Sequence, residues 1–343
     1  MTRRFIQVGV GGYGRTWLDT MVRERSRAAY AALVDPDARA MEVARSVTGV
    51  PAERCFASLE EAIAATSADA LLCVVPPAAH EEVITRAFAA GLDVLSEKPI
   101  ADTMAASRRI VERAARTGRT LMISQKGRFH PWVRRFRQAI ASREAGPLSH
   151  LTLHYRAPLF QWGASGFRHR MDDPLLVEMS IHHFDLLRAL LGGDPIDVAG
   201  TSWNTPESGF RGDVAASLVF RFAGNVPVVY EGYCRSSGDL TSWYGDIRAE
   251  CDRGAIVMVY PHLYLARRGA DQTLVTAPRD HLEKVGDLQL GQAEVLTEFL
   301  DALDEGRAPE SSGAENLISV AMVFAAADAC RTGERRQIAD YLS

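Results

Sequence analysis

Short apolar runs alternate with amphipathic stretches over the first third of the chain. Phe5-Ile6-Gln7-Val8, Ala29 to Val34, Ala70 to Val75, Asp93 to Leu95 and Thr120 to Ser124 read as strands. Between them, Thr16 to Arg25, Asp37 to Val47, Glu81 to Ala90 and Thr103 to Arg116 read as helices, the last two stopped by Gly91 and Gly118. Strands without polar alternation, separated by helices, belong in a parallel sheet covered on both faces. That is the doubly wound α/β plan.

Beyond about residue 125 the texture changes. A helix is predicted over Trp132 to Ile140, and Leu148 to Arg156, Val214 to Phe222, Val226 to Tyr233, Tyr244 to Glu250 and Ala255 to Tyr260 alternate as antiparallel strands do. Ala223-Gly224-Asn225 supplies a hairpin turn. Two helices follow, Glu294 to Leu303 and Glu315 to Cys330; in the first, Val295, Leu296, Phe299, Leu300 and Leu303 share one face. The pattern therefore predicts two domains. Residues 1–124 form a doubly wound parallel sheet, and residues 125–343 an α+β domain around a large, open, mostly antiparallel sheet.

Composition narrows the function. The chain has 343 residues, 24% of them charged, and a net charge of -4, which offers no attraction to nucleic acid or to an acidic membrane surface. No uncharged apolar stretch has membrane-spanning length, and glycines begin too early for a signal-peptide core. Five cysteines, Cys55, Cys73, Cys234, Cys251 and Cys330, lie far apart without zinc or redox spacing. Reduced thiols, a cytoplasmic location and no metal site are expected.

The chemistry begins in the first turn. Gly9, Gly11 and Gly14 have the spacing G-x-G-x-x-G between a predicted strand and a predicted helix, with Gly12 and Tyr13 inside the turn. The first glycine permits the bend, the second lets a pyrophosphate approach the backbone, and the third lets helix and strand pack closely. Asp35 ends the second strand, where a carboxylate bonds the ribose hydroxyls of NAD and repels the 2′-phosphate of NADP. NAD is the expected cofactor, with Arg39 one turn on as the residue that would soften the preference.

Two further segments give the pattern a family. Val74-Val75-Pro76-Pro77-Ala78-Ala79-His80 follows one strand, and Gly91-Leu92-Asp93-Val94-Leu95-Ser96-Glu97-Lys98-Pro99 ends the next. With the glycine turn, the chain resembles the glucose–fructose oxidoreductase/inositol dehydrogenase (Gfo/Idh/MocA) family. The likeness is specific over the first 130 residues and looser beyond, where Arg128-Phe129 and the late helices also fit. It implies a Rossmann domain followed by a substrate-binding and oligomerisation domain. It implies that Pro76, His80, Glu97 and Lys98 lie at the cofactor, that Lys98-Pro99 is a candidate cis peptide, and that Lys98 is catalytic. A lysine there hydrogen-bonds the reacting oxygen and stabilises charge on it.

If Leu175 to Asp185 is a helix, Glu178, His182 and Asp185 fall on one face and His183 points away. The family carries D-x-G-x-H-x-x-D here, so Glu178 takes the Asp position and Ser180 the Gly position, while His182 and Asp185 match. The resemblance makes His182 the general base, Glu178 its tuner or a substrate ligand, and Asp185 a substrate-side residue that orients the imidazole or holds the helix. Lys126, where relatives often carry Asn, and Trp162 and Arg168 in the preceding loop complete the expected substrate contacts. Met171-Asp172-Asp173-Pro174 replaces the family's glycine-rich turn, so the substrate does not carry over from the named enzymes.

Three functions compete. The first is NAD-dependent oxidation of a secondary hydroxyl in a sugar, polyol or glycoside. The second keeps NAD tightly bound and uses transient oxidation for glycoside cleavage or epimerisation. The third is a nucleotide-sensing regulator without catalysis, which needs neither Lys98 nor His182. The open sheet face further predicts a homodimer or homotetramer.

Overall fold

The computed structural model describes residues 2–158, 166, 168–267, 279–286 and 291–343. Trp162 lies outside the described residues. The chain opens with strands β1 (Arg3–Val8), β2 (Ala28–Val34), β3 (Cys55–Phe56), β4 (Ala70–Cys73), β5 (Asp93–Glu97) and β6 (Leu121–Ser124). Helices α1 (Gly14–Arg23), α2 (Ala38–Thr48), α3 (Leu59–Ala65), α4 (His80–Ala89) and α5 (Met104–Thr117) connect them. All six strands are parallel, in the order β3-β2-β1-β4-β5-β6. Phe5, Leu71, Leu72, Val94, Leu95 and Ile123 have no exposed surface, which is why these strands lack polar alternation.

Helix ends follow local chemistry. The Asp37 carboxylate accepts from the backbone N–H groups of Arg39 and Ala40 at the start of α2, and Thr103 Oγ1 accepts from Ala106 N at the start of α5. Gly49 and Gly118 close the same helices in the left-handed conformation. The strand order reverses between β1 and β4, so the crevice at their carboxyl ends is the switch point where such sheets bind ligands.

The second sheet begins after helix α6 (Pro131–Ala141). Strand β7 (Leu148–Arg156) leads to helix α7 (Ser180–Leu191), then to β8 (Pro195–Trp203), β9 (Ala215–Phe222) and β10 (Val226–Tyr233). Strands β11 (Asp246–Cys251), β12 (Gly254–Val259), β13 (His262–Arg267) and β14 (Arg279–Lys284) follow, then helices α8 (Gln292–Glu305) and α9 (Gly313–Thr332) and a short β15 (Arg336–Gln337). The order is β14-β13-β12-β11-β7-β10-β9-β8-β15, antiparallel except for the parallel β7–β10 pair. One face is packed: Phe184 of α7 meets Phe220 and Tyr230 edge-on at 4.9 and 5.2 Å between centroids. Gly224 at φ 77° and Asn225 at φ 60° make the β9–β10 turn where the sequence puts it.

Several elements have weak sequence signals. Strands β3 and β15 are two residues each, β14 is largely exposed and polar, and β8 begins at Pro195. None announces itself by alternation.

The division of the chain corrects the expected boundary. One compact unit comprises Met1–Lys126 with Leu290–Leu317, the other Gly127–Gln289 with Ile318–Ser343. Residues 125–343 therefore do not form the second domain alone. The apolar face of α8 explains the return: Val295, Leu296 and Phe299 are fully buried, and the Phe299 ring lies 6.1 Å from that of Phe5 in β1. Arg3 and Arg27 pair with Asp304, and Ser311 exchanges hydrogen bonds with the Ile123 backbone.

Helix α9 is apolar and long enough to cross a membrane by length and composition. Its Val320, Ala321, Met322, Ala325, Ala326 and Ala329 are buried in the folded chain, which is how a core helix passes that test. All five cysteines are free thiols, and burial pushes that of Cys73 up to about 12.

Candidate active site

In the first unit, the glycine turn is built by close backbone approach. A Cβ on Gly9, at φ 88°, would lie 2.2 Å from the Val74 carbonyl oxygen, and one on Gly14 would lie 2.3 Å from the Gly9 carbonyl oxygen. Gly12 needs its glycine for a φ of 44°. Gly11 is the least constrained, with ordinary contact to Ala40.

The turn's hydrogen bonds leave a donor pair. Gly9 N donates to Val34 O, Val10 N and Gly11 N donate to Asp35 Oδ2 at 2.9 and 3.3 Å, and Gly14 N donates to Gly11 O. Gly12 N and Tyr13 N, both exposed, have no acceptor among the described residues. Two neighbouring N–H groups at the start of α1 form the cradle that a pyrophosphate needs. Among the described residues Asp35 Oδ1 accepts only from Asp37 N, at 2.9 Å, so the carboxylate keeps lone pairs for ribose hydroxyls. The residues present fit NAD.

Pro76 is exposed just beyond β4, beside the turn. His80 is corrected. Its ring is fully buried, with Nδ1 3.0 Å from Pro99 O and 3.2 Å from Ile100 O, and Nε2 2.9 Å from Val75 O. It ties together the loops after β4 and β5 rather than facing a cofactor, and burial pushes its pKa down.

Glu97 is also bonded within the protein. It is only 8% exposed, and its Oε1 accepts from the Trp17 indole N–H at 2.8 Å while Oε2 accepts from Lys98 N at 3.2 Å. Burial pushes its carboxyl pKa up, against the Trp17 bond and the Lys98 charge. Trp17 and Gln7 are the residues that sequence reasoning missed here. Lys98 itself stands half-buried beyond the carboxyl end of β5, and the Lys98-Pro99 peptide is cis, as the resemblance implies. Lys126 is half-buried one residue past Gln125, and Gly291 at the head of α8 packs on its Cβ.

In the second unit, Leu175–Met179 is a π-turn that runs into α7. The five-residue hydrogen-bond step changes the phase of Glu178 relative to α7. The three residues expected on one face therefore meet different partners. Glu178 accepts both Nε and Nη2 of Arg168 on Oε1, at 3.0 and 2.7 Å. His182 is half-buried, its ring 5.9 Å from that of Trp243.

Asp185 is 2% exposed, and Arg128 donates to both its oxygens, at 2.9 and 2.5 Å, while Ser319 Oγ adds a bond to Oδ1 at 3.0 Å. It holds α7 and has no surface for a substrate, which corrects its place among the substrate contacts.

His183 points away from His182, as helical spacing requires. It is fully buried, with Nδ1 3.0 Å from Tyr230 Oη and Nε2 3.0 Å from Trp243 O. The Trp243 carbonyl can only accept, so the proton sits on Nε2 and the Tyr230 hydroxyl donates to Nδ1. Ser180 Oγ, at the family's glycine position, lies 2.8 Å from the same hydroxyl. The two adjacent histidines thus both meet Trp243, His183 at its carbonyl and His182 at its ring.

Comparison with known proteins agrees with both halves. Residues 3–125 match the model of the oxidoreductase family with an NAD-binding Rossmann fold, and residues 133–257 match the Gfo/Idh/MocA C-terminal domain. The chain is 30% identical over 351 aligned residues to the uncharacterized protein y4oX of Sinorhizobium fredii, covering 100% of this chain and 97% of that one. It is 31% identical over 192 residues to inositol 2-dehydrogenase of Corynebacterium glutamicum, a match spanning 56% of this chain and only 55% of that enzyme. An oxidoreductase from Agrobacterium radiobacter, solved with NAD+, L-tartaric acid and magnesium, shares the fold at a TM-score of 0.86, with 17% identity and 99% of each chain covered. The chain belongs to the Gfo/Idh/MocA family of oxidoreductases, and its glycine turn lies within the part that matches the NAD-binding Rossmann model.

Proposed function

We propose that the protein is a dehydrogenase that oxidises a secondary hydroxyl of a sugar, polyol or glycoside with NAD. The observation that carries this reading is the carboxyl edge of the parallel sheet. There the N–H groups of Gly12 and Tyr13, without an acceptor among the described residues, follow β1, and Lys98 follows β5. A nucleotide sensor needs the first and not the second.

The roles follow from chemistry. Gly9, Gly11, Gly12, Tyr13 and Gly14 shape the pyrophosphate cradle, Pro76 borders it, and Asp35 receives the ribose hydroxyls and disfavours the extra phosphate of NADP. NAD held there would supply the hydride acceptor for the substrate carbon. His182 is assigned as the base that takes the hydroxyl proton, and the Lys98 ammonium as the donor of the hydrogen bond that stabilises charge developing on a reacting oxygen. The Arg168–Glu178 pair and Lys126 bind the remaining hydroxyl or acidic groups of the substrate, and a sugar acid would compete with Glu178 for Arg168.

The named inositol 2-dehydrogenase supports a polyol-like substrate class, and the chain's own Met171–Pro174 segment argues for a different member of it. Self-association is part of the reading. Trp203 and Val219 are each 42% exposed on the same face of the second sheet, a surface suited to a second copy of this chain.

The test is direct. NADH fluorescence should rise on binding, and a panel of sugars, polyols and sugar acids should include one that reduces NAD. Absence of NADH binding would remove the proposal. Product formation without net change at the nicotinamide band, from protein that carries NAD through purification, would replace dehydrogenation by transient oxidation.

A further inference from the structure

Gln7 is out of place by pattern. It sits in β1 between Ile6 and Val8, in a strand whose last four residues are all buried, and it has no exposed surface. A carboxamide taken out of water without partners is destabilising, so one in this position must be fully bonded. It is. Nε2 donates to Gly9 O and to Gly14 O, both at 3.0 Å, and Oε1 accepts from the Tyr30 hydroxyl at 2.7 Å.

These partners are the entrance and exit of the glycine turn. Gly9 is the residue that bends away from β1, and Gly14 is the first residue of α1. One amide group spans the two, and the N–H groups of Gly12 and Tyr13, which have no acceptor among the described residues, lie between them in the chain. The amide can work in only one orientation. Rotated by half a turn, its oxygen would face two carbonyl oxygens and its nitrogen would face the phenol.

Tyr30, on the neighbouring strand β2, selects the working orientation by donating to Oε1. Burial pushes the Tyr30 pKa up, which keeps its proton in place.

We infer that Gln7, oriented by Tyr30, is a positioning residue for dinucleotide binding: it sets the spacing between Gly9 and Gly14 and so the direction of the two N–H groups offered to the pyrophosphate. The inference rests on the NAD-binding reading of the turn. Neither residue touches the cofactor; both act through the backbone that does.

The experiment compares the wild-type protein with Gln7→Leu and Tyr30→Phe. Titration with NADH by fluorescence, and with ADP-ribose by calorimetry, separates the turn from the nicotinamide end. Gln7→Leu should weaken both ligands by the same factor, roughly tenfold for the loss of oriented donors. Tyr30→Phe should weaken both by less, and the melting temperature of each variant should remain above that of the assay. Once a substrate is in hand, KM for NAD should rise in Gln7→Leu while kcat at saturating NAD holds, a split that general loosening of the fold would not produce. Should Gln7→Leu fail to fold, Tyr30→Phe decides, because it removes one hydroxyl. Variants that fold and bind both ligands as tightly as wild type overturn the inference alone. A wild-type protein that binds neither ligand overturns the NAD reading itself, and this inference with it.

Discussion

The Trp17 indole donates to Glu97 Oε1 at 2.8 Å, joining the helix that begins at the glycine turn to the strand that ends at Lys98. Both side chains are buried, so the bond satisfies a carboxyl group that has little water. Trp17→Phe should lose roughly 1–3 kcal/mol of stability by leaving that oxygen without its donor. Burial has raised the Glu97 pKa above its ordinary 4.5, so in the folded state the group increasingly opposes folding as pH rises through and above that value. The Trp17 bond offsets this cost. The variant's deficit, measured by calorimetry, should therefore be larger at neutral than at acid pH; an equal deficit at both would assign the loss to packing alone.

His183 gives a pH dependence of the opposite sign. Burial lowers its pKa from 6.5 to about 4, so the unfolded chain binds the extra proton. The stability it contributes is complete above pH 6.5 and is lost as pH falls through about 4, on the order of 3 kcal/mol for a shift of this size. Denaturant midpoints across that window should fall with pH in wild type and fall less in His183→Gln, which is weaker overall.

Much of the first unit was legible because its signals are local. Gly9, Gly11 and Gly14 keep their spacing within six residues, Gly9 and Gly14 where the backbone approaches closely and Gly9 also at a left-handed φ, and Asp35 closes the pattern from the next strand. Gln7 was not legible, because its partners Tyr30 and Gly14 are brought to it only by the sheet and the turn. For Asp185 the sequence leaves open substrate contact, orienting the imidazole and holding the helix, and only the fold selects the last. Helical spacing gives its angle on α7, but Arg128, which occupies it, lies 57 positions earlier in the chain. The π-turn at Leu175–Met179 adds a phase change that a 3.6-residue period does not contain, so Glu178 and Asp185 part company. The return of α8 to the first unit is likewise a matter of which apolar face meets which, and its sequence shows only that it has one.

The Arg128–Asp185 pair should be expensive to break. Both side chains are almost without solvent, and Ser319 Oγ adds a third bond to the carboxylate. Asp185→Ala leaves a buried guanidinium without its counter-charge, and a loss of about 3–5 kcal/mol is expected. Arg128→Met together with Asp185→Leu removes both charges and should recover most of that loss. Urea midpoints of the single and double variants decide the matter; a double variant as weak as the single would show that volume, not charge, governs the site.

Lys98 separates binding from chemistry. It is half-buried beyond β5, its backbone N–H donates to Glu97, its side chain is proposed to touch the reacting oxygen, and the pyrophosphate cradle is made of backbone N–H groups at Gly12 and Tyr13. Lys98→Ala should therefore bind NADH within about twofold of wild type, since no cradle donor is lost. Turnover should fall by a factor on the order of 100 to 10,000, the range for removing a group that stabilises charge or moves a proton in the transition state. Lys98→Arg keeps the charge but spreads it over a planar group, so it should recover only a small part of the rate. Reduction of NAD followed by absorbance, with the substrate found in the panel, measures all three proteins. Wild-type turnover in Lys98→Ala would take Lys98 out of the mechanism while leaving the glycine turn's role intact.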